Sequence, residues 1–139
     1  MNDRPYSRII AILQKAGLRP TRQRMALGRL LFESGDRHVT AEDVHAEAIA
    51  AGVKVSLATV YNTLHQFTDA GLVREVVVEP GKTYFDTNTS SHHHFFFEDS
   101  GVIRDIPAEE VAIERLPELP DGVSLSRVDV VVRVTGDEG

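Results

Sequence analysis

Three consecutive histidines, His92–His94, are the residues of this 139-residue chain whose type and spacing most clearly indicate chemistry. Imidazole nitrogen binds iron(II), manganese and zinc, and the chain has no cysteine that could supply a thiolate ligand instead. Successive side chains of a strand project to opposite faces, so in an extended segment His92 and His94 share a face that His93 does not. The run therefore predicts a metal site of imidazole and carboxylate ligands. A solvated or aromatic-stacked histidine cluster is the alternative interpretation.

The segments around the histidines predict a small α/β unit. Residues His92–Phe97 and Val102–Ile106 are predicted to be strands, joined by a turn at Ser100–Gly101. A short helix is predicted over residues 107–116, and alternation of valine with polar residues predicts another strand over residues 128–134. A unit of about 50 residues buries little core alone, so we expect its strands to pair with a second copy of the chain.

The preceding half of the chain predicts four helices and a β-hairpin. Apolar residues recur at helical spacing, and glycine or serine-glycine ends each predicted helix. Pro80–Gly81 suits the tight turn of the hairpin, which would form the wing of a winged helix-turn-helix. The predicted bounds are Tyr6–Gly17, Pro20–Ser34, Thr40–Gly52 and Ser56–Ala70 for the helices, and Leu72–Glu79 and Lys82–Asp86 for the strands.

The fourth predicted helix carries small and hydrogen-bonding residues on its outward face, while its apolar residues cluster on the other side. A plain solvated helix would instead carry a mixture of lysine and glutamate. The face suits the major groove of DNA, where asparagine pairs with adenine and apolar groups meet thymine methyl groups. The candidate DNA-binding residues on this helix are Ala58, Thr59, Tyr61 and Asn62.

Charge is distributed unevenly along the chain, whose formal net charge is −6. Residues 1–80 carry ten Lys/Arg and nine Asp/Glu, whereas residues 81–139 carry five and twelve. Seven basic side chains lie within the first 29 residues beside one acid, Asp3, so this segment can meet phosphate. No apolar stretch approaches the roughly 20 residues of a membrane helix, and the N-terminus lacks a secretory signal. We therefore expect a cytoplasmic protein that does not bind membranes.

Several motifs in combination resemble the ferric uptake regulator superfamily along nearly the whole chain. The histidine run, the lack of cysteine and the sequence SRVDVVVR at residues 126–133 are most similar to its iron response regulator branch. The resemblance implies a winged helix-turn-helix domain, expected at residues 1–87, followed by a small α/β dimerisation domain at residues 88–139. The fold class expected is thus α+β. The motifs are HVTAEDV (38–44), LATVY (57–61), FTDAGL (67–72) and GKTYFD (81–86).

The resemblance also implies which residues contact DNA. In relatives the tyrosine of LATVY, here Tyr61, contacts DNA, and Arg19 resembles the basic residue that family members place in the minor groove. Arginine commonly follows that tyrosine, whereas this chain has Asn62. The operator therefore need not match that of other members. The basic N-terminal segment and the two-domain layout lead us to expect an A/T-rich inverted repeat.

The family's regulatory metal site draws a histidine from the start of the third helix and an acid from the end of the wing. Here those residues are His38 and Asp86, which would join His92 and His94 where the two domains meet. The expected ion is iron(II), manganese or zinc, and its binding would set the angle between the two DNA-reading heads. The iron response regulator branch adds haem as an effector, with His92, His93 and His94 as candidate ligands.

Other metal sites of the wider family are not expected in this chain. Phe97 and Ser100 stand where many members have the Cys-x-x-Cys pair of a structural zinc site, and Ser91 and Val128 stand where relatives place histidines. The Cys-Pro haem motif of some members is also missing. We therefore expect apolar strands, without a structural metal, to hold the dimer.

Together with the resemblance, these patterns predict a homodimeric, DNA-binding transcriptional regulator of iron homeostasis, expected to act as a repressor or an activator, that responds to haem or to a divalent metal. A sensor of iron, manganese or zinc without haem is the main alternative. A catalytic metal site with an open water position is another class, which turnover of generic esters or peptides would reveal. Failure to shift any DNA would instead favour a winged helix that binds only protein. We do not expect an enzyme, because the sequence shows neither a positioned general acid or base nor a substrate pocket.

Overall fold

The computed structural model describes residues 6–79 and 82–136, which belong to two compact units, Met1–Thr89 and Ser90–Gly139. Four α-helices and a three-stranded sheet form the described part of the first unit, and a second three-stranded sheet forms that of the second. This mixture confirms the α+β class. The bounds are α1 Ser7–Lys15, α2 Arg22–Phe32, β1 His38–Val39, α3 Ala41–Ala50, α4 Leu57–Asp69, β2 Arg74–Glu79, β3 Lys82–Asp86, β4 His92–Phe97, β5 Ile103–Pro107 and β6 Val131–Val134.

Side-chain caps begin the two helices that precede the wing. Thr40 Oγ1 accepts a hydrogen bond from the backbone N–H of Asp43 at 3.1 Å, and Asp43 Oδ2 accepts one from the N–H of Thr40 at 3.0 Å. Ser56 Oγ accepts a hydrogen bond from the N–H of Thr59 at 3.1 Å. These bonds satisfy N–H groups that the first helical turn leaves without a backbone partner. The helices α3 and α4 therefore begin where the sequence predicts.

The core of the first unit buries one side of α4. Val60, Leu64 and Phe67 have no exposed surface and pack with apolar residues of the other helices, while Leu57 is partly buried. Because residues three and four apart lie on the same side of a helix, the opposite side of α4 remains exposed. None of the helices in residues 6–79 and 82–136 has both the length and the apolar character that crossing a membrane requires.

The sheet of the first unit has the strand order β1-β3-β2, with both pairings antiparallel. Its register places His38 of β1 opposite Asp86 of β3, and Arg74 of β2 opposite the same aspartate. These three residues therefore form one row across the sheet. The turn predicted at Pro80–Gly81 lies outside the described residues.

The sheet of the second unit has β4 at its centre, between antiparallel β5 and parallel β6. The predicted β4 has the observed bounds, and the turn before β5 ends at Gly101, whose positive φ of 76° suits glycine. The last strand is shorter than predicted, beginning at Val131 instead of residue 128. The central position of β4 holds the histidine run between two neighbouring strands.

The helix predicted over residues 107–116 is wrong. Only Ala108–Glu110 forms a single 3₁₀ turn, and residues 111–116 form neither helix nor strand. A short helix in water is stable only when packing covers its apolar face, yet Ile113 and Leu116 are 42% and 46% exposed. Pro117 and Pro120 also prevent continuation of the helix beyond that segment.

Candidate metal centre and nucleic-acid interface

The first unit contributes a histidine and a carboxylate to a candidate metal centre. Asp86 is fully buried, and its Oδ2 lies 3.2 Å from Nε2 of His38. Its other oxygen, Oδ1, accepts a hydrogen bond from the backbone N–H of Asn88 at 2.9 Å. The facing register explains the pairing, since opposed residues of antiparallel strands project from the same face. The structure thus brings together the two predicted ligands of this unit.

The second unit contributes three converging side chains. His92 and His94 lie on one face of β4, as the strand period predicts, with ring centroids 4.7 Å apart. Oδ1 of Asp105 on β5 lies 3.3 Å from Nε2 of His92 and 3.5 Å from Nε2 of His94. One donor atom from each of the three lies within 4.8 Å of the others. Two imidazoles and a carboxylate suit a divalent iron, manganese or zinc ion.

A backbone contact orients the imidazole of His92. Its Nδ1 lies 2.5 Å from the carbonyl oxygen of Ser90, which can only accept a hydrogen bond. In the neutral ring Nδ1 therefore carries the proton, and the lone pair belongs to Nε2, the atom that faces Asp105. Histidines that bind metals usually donate their other ring N–H in this way.

His93 stands apart from this donor group. Its Nδ1 accepts a hydrogen bond from the backbone N–H of Val130 at 3.1 Å, and its side chain is buried. The ring thereby connects β4 to the segment that leads into β6. Of the three histidines predicted as haem ligands, the structure places only His92 and His94 together.

Sequence reasoning missed Asp105, although a signal for it was present. The predicted strands and the turn between them define a hairpin, and the backbone N–H of Phe97 accordingly donates a hydrogen bond to the carbonyl oxygen of Val102 at 2.9 Å. Counting outward from that pair places Asp105 opposite His94, which is the observed register. An acid opposite a histidine in this hairpin could therefore have been added to the predicted ligands.

The exposed face of α4 carries the residues predicted to contact DNA. Ala58 and Asn62 are exposed, Thr59 is partly buried, and Tyr61 is 37% exposed. The hydroxyl of Tyr61 donates a hydrogen bond to Oε2 of Glu42 at 2.9 Å. That hydrogen bond, followed by burial, raises the pKa of Tyr61 above its ordinary value. The hydroxyl of Tyr61 is thus engaged by α3.

Arg19 and Asn62 line the same surface hollow, with a volume of about 440 Å³. Arg24 connects the two sides of the hollow. Its Nε and Nη2 donate to Oε1 of Gln66 on α4 at 3.1 and 3.0 Å, and its Nη1 donates to the carbonyl oxygen of Arg19 at 2.9 Å. Arginines and side-chain amides are the groups with which proteins contact the phosphates and base edges of DNA.

Comparison with known sequences gives consistent matches. The model of the ferric uptake regulator family matches residues 15–132. The ferric uptake regulation protein of Escherichia coli (strain K12) is 41% identical over 80 residues, which cover 58% of this chain and 54% of that protein. The peroxide-responsive repressor PerR of Staphylococcus epidermidis is 38% identical over 103 residues, covering 74% and 68%. The matched part spans about half the length of the ferric uptake regulation proteins.

Solved structures of similar fold cover most of the chain. The ferric uptake regulator of Pseudomonas aeruginosa, solved with manganese, has a TM-score of 0.71 and 32% identity, covering 94% of this chain and 98% of that one. The ferric uptake regulator of Vibrio cholerae has a TM-score of 0.72 and 27% identity, covering 91% and 98%. The similarity therefore includes both the helical unit and the histidine-bearing unit.

Proposed function

The chain belongs to the ferric uptake regulator family, and on that premise we propose that it is a metal-responsive transcriptional repressor that binds DNA as a homodimer in the cytoplasm. The observation that carries the proposal is the convergence of His92, His94 and Asp105 on one point of the second sheet. Two imidazoles and a carboxylate are ligands that divalent iron, manganese and zinc take in proteins. Because the family consists of transcriptional regulators, we assign these donors to metal sensing and not to catalysis.

The regulatory ion is proposed to be held by His38, Asp86, His92 and His94, with Asp105 as an additional ligand. Strand register places His38 opposite Asp86 in the first unit and His94 opposite Asp105 in the second. Their imidazole and carboxylate atoms suit iron(II), manganese or zinc, and a relative has been solved with manganese. An ion that takes ligands from both units would couple the metal concentration to the affinity for DNA.

Haem is the second candidate effector, as in the iron response regulator branch. The observation that favours it is the cysteine-free run of three histidines. However, His92 and His94 are 5% and 1% exposed. A tetrapyrrole would reach either Nε2 only after the surrounding chain opened, whereas a single ion needs much less space. The geometry therefore supports a metal ion better than haem.

Titration of the purified protein with Mn²⁺, and in parallel with haem, tests this proposal. We expect Mn²⁺ to bind and to tighten binding to an operator selected from random duplexes, measured by fluorescence anisotropy. A histidine-ligated Soret band together with release of the operator would transfer the assignment to the haem branch. Absence of DNA binding with and without Mn²⁺ would contradict the proposed regulator altogether.

We propose α4 as the recognition helix, with Ala58, Thr59, Tyr61 and Asn62 in the major groove and Arg19 in the minor groove. The exposed and uncharged residues near the start of the helix support this role, as does the hollow that Arg19 and Asn62 share. The hydrogen bond from Tyr61 to Glu42 leaves the ring edge to contact a thymine methyl group. The proposed target is an A/T-rich inverted repeat.

Tyr61→Ala and Asn62→Ala are each expected to lower the affinity for the operator by about 1–3 kcal/mol, because each removes a base contact. Arg19→Ala is expected to weaken binding to all sequences more evenly. Anisotropy titrations with operator and scrambled duplexes measure both effects, and circular dichroism checks the fold. Asp69→Ala, at the exposed end of α4, is the matched control. Unchanged discrimination by Asn62→Ala would show that this residue does not read a base.

A further inference from the structure

A buried arginine lies in the same cross-strand row as two of the proposed ligands. Arg74 begins β2 and is the register partner of Asp86, which is in turn the partner of His38. Directly opposed residues of antiparallel strands have Cβ atoms about 4.5–5.5 Å apart and share a face. Arg74 is 8% exposed and Asp86 has no exposed surface. A cationic side chain is therefore buried beside a carboxylate that is proposed to bind a cation.

With no ion bound, the row places a buried arginine directly opposite a buried aspartate. A guanidinium keeps its positive charge at any pH at which proteins are folded, and a buried charge is costly unless an opposite charge lies near it. The directly opposed residue on the adjacent strand, Asp86, can provide that opposite charge. A divalent cation bound at Asp86 would instead be repelled by the positive charge of Arg74, and the low dielectric constant of a buried site would strengthen that repulsion.

We propose that Arg74 is an internal counter-ion of Asp86 that competes with the divalent cation and so lowers the metal affinity of the site. The inference rests on the proposed regulatory metal site. In the ion-free protein Arg74 stabilises Asp86, and in the metal-bound protein the same charge is unfavourable. Arg74 thereby raises the metal concentration at which the regulator becomes loaded.

The variant Arg74→Met tests this proposal, because methionine keeps a straight apolar chain and removes the charge. We expect its dissociation constant for Mn²⁺ to fall by about tenfold or more. The melting temperature of its ion-free form should fall, and Mn²⁺ should raise that temperature more than it does in the wild type. Arg74→Lys, which keeps the charge, should bind Mn²⁺ like the wild type. Arg115→Met removes an exposed arginine and is the control for net charge.

A purely structural Arg74 would give a different result. Arg74→Met would then lose stability in both forms and bind Mn²⁺ no more tightly than the wild type, which would overturn the proposal. Arg74→Gln, also uncharged but polar, provides the same comparison if the methionine variant does not fold. If neither the wild type nor an uncharged variant binds Mn²⁺, the proposed metal site fails, and this inference fails with it. If the wild type binds Mn²⁺ and the uncharged variants bind it no more tightly, the inference about Arg74 is refuted but the proposed metal site is not.

Discussion

Replacement of both His92 and His94 by alanine is expected to abolish binding of the regulatory metal without unfolding the protein. The change removes two of the three donor atoms that converge in the second unit, and leaves Asp105, whose side chain is 35% exposed. Loss of an outer-shell partner of a metal ligand already costs roughly 10–100-fold in affinity, so loss of two ligands should cost more. Calorimetric titration with Mn²⁺ measures the binding, and circular dichroism and size-exclusion chromatography measure the fold and the oligomeric state.

His93→Ala is the matched control within the same strand. Its side chain accepts a hydrogen bond from Val130 and lies on the other face, so the variant should still bind Mn²⁺. Its free energy of unfolding should fall by about 1–3 kcal/mol, because a buried N–H group loses its acceptor. Undiminished Mn²⁺ binding by the double variant would place the site elsewhere, for example at His45 or His65. Dissociation of the wild-type dimer by a chelator would contradict the expected absence of a structural metal.

An increase in salt from about 50 to 200 mM is expected to weaken DNA binding about a thousandfold, since neutralising about six phosphates gives a log–log slope of about −5. The basic residues near the N-terminus and the hollow at Arg19 and Arg24 supply the positive charge. Anisotropy titrations at several salt concentrations measure the slope. The same protein should run as a dimer at micromolar concentration.

Two arginine variants distinguish a direct phosphate contact from a general effect of positive charge on DNA binding. Arg19→Ala should make the slope shallower by about one for each chain in the complex. Arg29→Ala should leave the slope unchanged, because the side chain of Arg29 is paired with Glu33 at 3.1 Å. A DNA affinity indifferent to salt, or a protein that stays monomeric, would rule out the proposed mode of binding.

Most of the first unit could be predicted from the sequence because its signals are local. The capping box at Thr40 and Asp43 forms within one helical turn, and the apolar spacing of α4 selects its buried side whatever the helix packs against. The sharing of one face by His92 and His94 also follows from the two-residue period of a strand. Patterns of this kind depend on neighbours only a few residues away.

Only the tertiary structure decided which distant residues meet. Arg74 stands opposite Asp86 through a strand pairing, and the hydrogen bond from Tyr61 to Glu42 depends on how two helices pack. The predicted helix at residues 107–116 is absent because its apolar residues remain exposed and are not covered by packing. Local spacing determines which side of an element is apolar, but packing determines what, if anything, that side contacts.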